Sequence, residues 1–278
     1  VTKLKDNNAQ NFKNSFKDKV ILITGASSGI GAALAKGFAQ EKAKLALLAR
    51  RFNKLEVIAS LCKMSDSQAL ALVCDVSKET EIEKAVATVQ QQLGSIDVVI
   101  ANAGFGVVAN VENLTLTDFQ RQFETNVYGV LRTLYATLDD LKKTQGRLVI
   151  IGSASGHISI PKYAAYAMSK HAITALAETL YAELAPYGIS VTLISPGFVK
   201  TEIRNVNNLG IYQEGTRDPL PEWLRLDADK AAKIIIKAIR LRQRERIITV
   251  SGKLGVILNR VFPGLLPRFF RWQAMRKK

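Results

Sequence analysis

Two side chains four residues apart set the first chemical question: the phenol and the ammonium of Tyr166-Ala-Met-Ser-Lys170. On a helix this spacing puts both on one face. A tyrosine hydroxyl has a pKa of about 10 in water and exchanges protons poorly near neutrality, whereas a close cation favours the phenolate. A shift of about two units takes roughly 2.7 kcal/mol of differential stabilisation, within reach of one charge in a partly buried site. Ser153 follows the strand-like run 147–152 and offers a hydroxyl that would hold a carbonyl oxygen. Together the three make a candidate acid–base site for a carbonyl or alcohol oxygen. Taken alone, the Tyr–Lys pair also fits two side chains lying along a helix surface.

A second group of residues would bind phosphate. Thr24-Gly25-Ala26-Ser27-Ser28-Gly29-Ile30-Gly31 joins an apolar run to a helical pattern. Glycines there let the backbone turn tightly and approach a pyrophosphate, and the helix start offers free N–H groups. The second apolar run ends in Ala49-Arg50-Arg51, with no carboxylate before Glu56. A carboxylate there would accept from a ribose 2′-hydroxyl, whereas a guanidinium pairs with a 2′-phosphate. The expectation is NADP(H) in preference to NAD(H). A glycine-rich turn and two solvated arginines are the plainer alternatives.

Positioning such groups takes an ordered sheet. Short apolar runs recur at 20–24, 44–49, 69–75, 97–101, 147–152, 189–195 and 246–250. Amphipathic stretches with helical spacing lie between them, at 30–40, 79–93, 118–141 and 166–184. Nearly continuous apolar strands are those covered on both faces. The alternation predicts an α/β fold: one Rossmann-like, doubly wound domain over 19–250, its mainly parallel sheet of about seven strands. Residues 1–18 read as a flexible polar arm. The irregular segment 196–226 is long enough to be a substrate loop or lid. Residues 251–278 form an amphipathic extension.

With these motifs in order, the chain resembles the short-chain dehydrogenase/reductase family from about residue 19 to 250. Residues 24–31 match its glycine-rich turn, Asp75-Val76 its adenine-side acid, and Asn102-Ala103-Gly104 the triplet that supports the fourth strand. Asn126 matches its helix asparagine, Ser153 its serine, Tyr166 and Lys170 its YxxxK pair. Pro196, Gly197, Val199 and Thr201 match the segment beside the nicotinamide. The resemblance implies Tyr166 as acid/base, Lys170 tuning it and holding the nicotinamide ribose, Ser153 polarising the carbonyl, and Asn126 holding a proton-relay water. Gly25, Ser27, Ser28, Gly29, Ile30, Gly31, Arg50 and Arg51 are its candidate cofactor contacts. Ala101 stands where many members carry a second asparagine. The resemblance also implies a homodimer paired through the helices at 118–141 and 166–184.

Residues around the expected cleft are apolar: Phe105, Val107, Ile158, Ile160, Tyr163, Phe198, Val199, Ile203, Leu209, Ile211 and Tyr212. They line a pocket for a lipophilic substrate or pack the lid on its own domain; both readings stay open. His157 is expected to follow its turn rather than meet substrate. With 39 Lys+Arg against 24 Asp+Glu, the chain carries a net charge of +15. One basic cluster is Arg240, Arg242, Arg244 and Arg246, and another closes the chain. No base-reading motif accompanies them, so nucleic acid is not an expected partner. Cys62 and Cys74 form no CxxC pair and read as buried thiols of a reducing compartment, and no metal site is expected.

The extension interleaves Leu254, Val256, Ile257, Leu258, Val261, Phe262, Leu265, Leu266, Phe269, Phe270 and Trp272 with basic residues, interrupted by Pro263 and Pro267. It suits two short amphipathic pieces on an anionic membrane surface, or a cover over the pocket or a second subunit. An intracellular location is expected, cytoplasmic or peripheral on a membrane facing the cytoplasm. The competing functions are a reductase of carrier-bound β-ketoacyl groups, docked through the arginine cluster, and a silent NADP(H)-binding sensor.

Overall fold

The computed structural model describes residues 15–214 and 220–276. Seven strands form one sheet: β1 Val20–Thr24, β2 Lys44–Ala49, β3 Ala69–Val73, β4 Val98–Ala101, β5 Arg147–Ile151, β6 Ser190–Ser195 and β7 Glu245–Ile247. They pair in the order β3-β2-β1-β4-β5-β6-β7, every pair parallel. Alternate residues of β1 serve opposite faces. Ile21 and Ile23 pack with α1 Gly29–Ala39, α2 Phe52–Lys63 and α7 Ala228–Arg240, while Val20 and Leu22 pack with α3 Glu79–Leu93, α5 Gly129–Thr144 and α6 Ala164–Glu183. This is the doubly wound Rossmann-like α/β fold. Its strand order turns back between β1 and β4, so a crevice opens at their carboxyl ends, where such sheets bind ligands.

The structure differs from the sequence expectations in four places. The helix expected over 118–141 is α4 Leu116–Phe123, a π-helical turn Glu124–Tyr128, and then α5. Such bulges insert a residue into a helix and often sit at functional sites. Thr115 and Asp118 reciprocally cap the start of α4. β7 stops at Ile247 because Thr249 leaves the strand to cap α8 Val250–Val261, accepting from Gly252 N at 3.1 Å.

In the tail, α8 is followed by α9 Leu265–Met275. Pro263 falls in the break, but Pro267 sits in the first turn of α9, where a missing N–H leaves no helical bond unmade. The fourth difference concerns the arm. Phe16, at its expected end, is fully buried edge-on against Phe38, with Arg147 and Arg240 over its ring. Residues 1–14 of that arm lie outside the described residues, as do Lys277 and Lys278 of the tail and 215–219 of the lid.

Candidate active site

The glycine-rich turn and the end of β4 lock together through the side chains of Thr24 and Asn102, each bonded to the other segment's backbone. Thr24 Oγ1 accepts from Asn102 N at 3.0 Å and Ala103 N at 3.1 Å, while Asn102 Nδ2 donates to the carbonyls of Thr24 at 2.9 Å and Gly25 at 3.2 Å. Gly25 and Gly29 hold φ of 66° and 56°, the left-handed region that a side chain disfavours. A Cβ on Gly31 would collide with the Gly25 carbonyl and stand 2.7 Å from Asn102 Nδ2. Ser28, at the N-cap of α1, makes no side-chain cap, so the helix start keeps its N–H groups for another acceptor. A backbone cradle with no room for side chains, at a helix N-terminus, fits a dinucleotide pyrophosphate.

Ser153, Tyr166 and Lys170 meet beside the carboxyl end of β5. Ser153 is buried, and its Oγ accepts from Ser155 N at 3.0 Å. Burial around the Tyr166 hydroxyl raises its pKa, while a hydrogen bond with Ser153 pulls the other way. Lys170 is also buried; desolvation lowers its pKa to about 8. Its Nζ donates to the Ile151 carbonyl at 2.9 Å and stands 5.8 Å from the centre of the Tyr166 ring. The expected downward pull of the lysine on the phenol is therefore not what this arrangement displays. The ammonium is turned to the end of β5, and burial dominates both groups.

Asn126 lies in the π-helical turn, buried. Its Nδ2 donates to Phe105 O and Ser169 Oγ, both at 3.1 Å, and its Oδ1 accepts from Phe105 N at 3.2 Å. The side-chain amide thus braces the loop after β4. Gln122, one turn earlier, does the same work: Nε2 to Phe105 O at 2.8 Å, and Val107 N to Oε1 at 2.7 Å. Gly104 is the close point, where an added Cβ would lie 3.1 Å from Asn126 Oδ1 and 3.8 Å from Lys170 Nζ. Gln122 and Ser169 were not singled out in the sequence. Gln122 was detectable as a polar residue four before Asn126, on the same helical face.

Opposite this wall runs the lid. Thr201 packs against Gly29, Val199 is buried and bridges to Leu226, and the Pro196 carbonyl accepts from Ala154 N at 2.7 Å. Gly197 sits against Thr249, which leaves no room for a Cβ. Asn208 at the lid tip accepts from Val108 N at 2.9 Å, and its carbonyl accepts from Arg121 at 3.0 Å. Arg50 donates to Gly210 O at 2.8 Å and stands 4.0 Å from Asp75, whose Oδ1 holds Ser77. Val76 is buried against Gly129. A cavity of about 270 Å³ lies between these parts, lined by Arg50, Asp75, Lys78, Phe105, Arg121 and Leu209 among others. Arg51 turns into the cradle, to Ser28 Oγ at 2.7 Å and Ser27 Oγ at 3.3 Å.

Of the apolar candidates for the pocket, Phe105 and Val107 pack with Ala165, Ile203, Leu209 and Ile211 are exposed, and Tyr212 lies over Arg51 and Lys54. His157 has partners of its own: its Nε2 is 3.2 Å from Ser195 Oγ and 2.9 Å from Glu245. Asn259 of α8 donates to the His157 carbonyl at 2.9 Å, so the tail touches the loop after Ser153. Three arginines of the basic cluster are engaged within the chain. Arg240 meets Glu41, Arg242 meets the carbonyls of Gly188 and Gln145, and Arg244 meets Glu178. Cys62 and Cys74 are buried free thiols, pushed up by burial to about 11 and about 12.

This fold and site define a class. The short chain dehydrogenase family model matches residues 19–210, and the chain belongs to the short-chain dehydrogenase/reductase family. It is 31% identical over 269 residues to a Drosophila melanogaster dehydrogenase/reductase SDR family protein 7-like, covering 92% of this chain and 81% of that protein. Mouse dehydrogenase/reductase SDR family member 7B is 31% identical over 276 residues, covering 96% and 83%. Among solved structures it resembles an alcohol dehydrogenase from Thermococcus sibiricus complexed with 5-hydroxy-NADP, with TM-score 0.74, 32% identity, and coverage of 83% of this chain and 96% of that one. An NAD⁺-bound xylitol dehydrogenase superposes with TM-score 0.73 at 30% identity, covering 84% and 98%. The protein is thus an oxidoreductase of a family that uses nicotinamide cofactors on CH–OH or C=O groups of small molecules.

Proposed function

We propose that this enzyme is an NADP(H)-dependent reductase of a lipophilic carbonyl, with Tyr166 as proton donor. The observation that carries the reading is the meeting of Ser153, Tyr166 and Lys170 at the end of β5, across the crevice from the arginine side of the cradle. When bound, a reduced nicotinamide supplies a hydride for the carbonyl carbon. Ser153 holds the carbonyl oxygen, and Tyr166 gives that oxygen its hydroxyl proton as negative charge develops there. Burial keeps Tyr166 protonated until then. Lys170, anchored on Ile151 O, braces the reacting edge and would hold the nicotinamide ribose. Asn126 holds the loop after β4, and a relay water beside it would return the proton. The arginines Arg50 and Arg51 favour a 2′-phosphate.

Lipophilic substrate and membrane surface are supported together by the tail. Leu254, Ile257, Val261, Phe269 and Trp272 are all exposed on helices that also carry Arg260, Arg268 and Arg271, and Phe262 is exposed in the break between them. Among the described residues no helix is long and apolar enough to cross a membrane, so the tail would lie in the interface of an anionic bilayer. A homodimer through α5 and α6 is favoured by Tyr135, Met168 and Tyr181, large and exposed on those helices.

The test is NADPH oxidation with carbonyls of rising chain length. Turnover that grows with apolar length supports the reading; NADPH binding without oxidation across the panel leaves a sensor. Sedimentation with anionic liposomes, full chain against a form ending at Gly252, tests the surface. An intact protein that stays in the supernatant at low salt refutes it.

A further inference from the structure

The cations that favour a cofactor 2′-phosphate already hold an anion of this chain. Glu202, in the lid, places Oε2 2.9 Å from Arg51 Nη1 and Oε1 2.8 Å from Lys54 Nζ. Arg51 is shared between this carboxylate and the hydroxyls of Ser27 and Ser28 in the cradle. The ring of Tyr212 closes over both cations, 5.2 Å from the Arg51 guanidinium and 4.4 Å from Lys54 Nζ. Partial burial pushes the Glu202 carboxyl up, but hydrogen bonds from Lys54 and Arg51 outweigh it and hold the group below the usual carboxylate range. It is ionised at neutral pH.

A carboxylate and a phosphate monoester seek the same edge of a guanidinium. Placed side by side in a half-buried pocket, the two anions repel. We propose that Glu202 is a specificity-determining residue of the ribose site: a cofactor 2′-phosphate must displace its carboxylate from Arg51 and Lys54, whereas a cofactor with a free 2′-hydroxyl leaves the pairing in place. In the second case the carboxylate that NAD(H) sites usually carry after the second strand is supplied by the lid. Glu202 therefore narrows the preference for NADP(H) that Arg50 and Arg51 alone would create. It also couples cofactor identity to the lid, because the pairing that the phosphate breaks is one that ties the stretch from Glu202 to Tyr212 to α2. By linkage, loosening that stretch tightens the 2′-phosphate. The inference rests on the cofactor site proposed above.

The test uses two nucleotide probes on the full chain, 2′,5′-ADP and 5′-AMP, titrated by calorimetry. Glu202→Gln removes the charge at nearly constant shape. It is expected to tighten 2′,5′-ADP by about three- to fivefold, the upper end for a partly exposed ion pair, and to change 5′-AMP by less than about twofold. In the unsubstituted protein 2′,5′-ADP should speed proteolytic cleavage between residues 203 and 214, and 5′-AMP should not. Unchanged or weaker 2′,5′-ADP binding by Glu202→Gln overturns the inference. If Arg51→Ala then still loses 2′,5′-ADP selectively, the cofactor site stands and only the competition fails. If neither variant separates the two nucleotides, the cofactor site fails and the inference falls with it. Glu202→Ala must move the same way as Glu202→Gln; tightening by alanine alone would assign the effect to size and overturn the role of charge.

Discussion

The two walls of the crevice are built from different materials. The sheet-edge wall, from the glycine turn through β4 and β5 to α6, is backbone and short-reach side chains meeting carbonyls, as in the half-buried Asn102 on Thr24 and Gly25 or the buried Lys170 on Ile151. The lid wall is held by side chains reaching far along the chain: Glu202 to Arg51 and Lys54, Asn208 to Val108, Arg50 to Gly210. Half-exposed ion pairs of the second kind contribute about 0–1 kcal/mol each and exchange partners readily. Contacts of the first kind leave no space to exchange. One wall is therefore fixed in place, while the contacts of the other can be exchanged.

The largest effect is expected at the sheet-edge wall. Tyr166→Phe keeps the ring and removes the transferable proton, and turnover should fall at least about a hundredfold with NADPH affinity nearly intact. Substantial turnover by this variant, measured at saturating NADPH, would overturn the acid–base assignment. Gly31→Ala comes next. Its methyl meets the Gly25 carbonyl, which cannot yield, and nucleotide binding should weaken by about 10–100-fold, the equivalent of an overpacked site. An alanine variant that binds normally would show the cradle to be as yielding as the lid.

Lys170 sharpens the comparison through pH. Its folded pKa, near 8, lies below that of an exposed lysine. Between those two values the unfolded chain binds a proton that the folded one does not, so stability rises with pH across that window. Below about pH 8 the cost of the buried ammonium is fully present. Thermal melts of the protein and Lys170→Met should therefore draw apart in favour of the unsubstituted protein as pH rises from 8 to 10.5. A constant difference would mean the ammonium is not desolvated.

The smallest effect belongs to the lid. Asn208→Ala removes the contacts to Val108, a surface hydrogen bond worth about 1 kcal/mol. Proteolysis at the lid tip should accelerate by roughly fivefold while the melting midpoint stays put. A lower midpoint would mean that the lid is part of the cooperative core.

Much of this was legible in the residues. Six of the seven apolar runs became strands over most of their length, because strands covered on both faces must be largely apolar, while the run 246–250 gave only Arg246 and Ile247 to the half-buried β7. Tyr166 and Ser153 lie together beside the end of β5, since one sits on a helix start and the other at a strand end, while the Lys170 ammonium turns to Ile151 O. Less was legible where partners are distant. The break of the 118–141 helix at Glu124–Tyr128 leaves no sign in its periodicity. Phe16 read as arm because its pocket is made by Phe38, Arg147 and Arg240, from three separate elements.

By itself, then, the amino-acid sequence determined the succession of strands, the place of the glycine-rich turn and the helical face shared by Tyr166 and Lys170. These follow from hydrophobic period, from glycine's backbone freedom and from spacings within one turn, all local properties of the chain. Only the tertiary structure decided which charges face which. It turned Lys170 to Ile151 rather than to the phenol, gave His157 to Ser195 and Glu245, and set Glu202 against Arg51 across 151 residues of chain. The physical reason is that an ion pair is settled by burial and distance in space, and neither is written in the separation of two residues along the sequence.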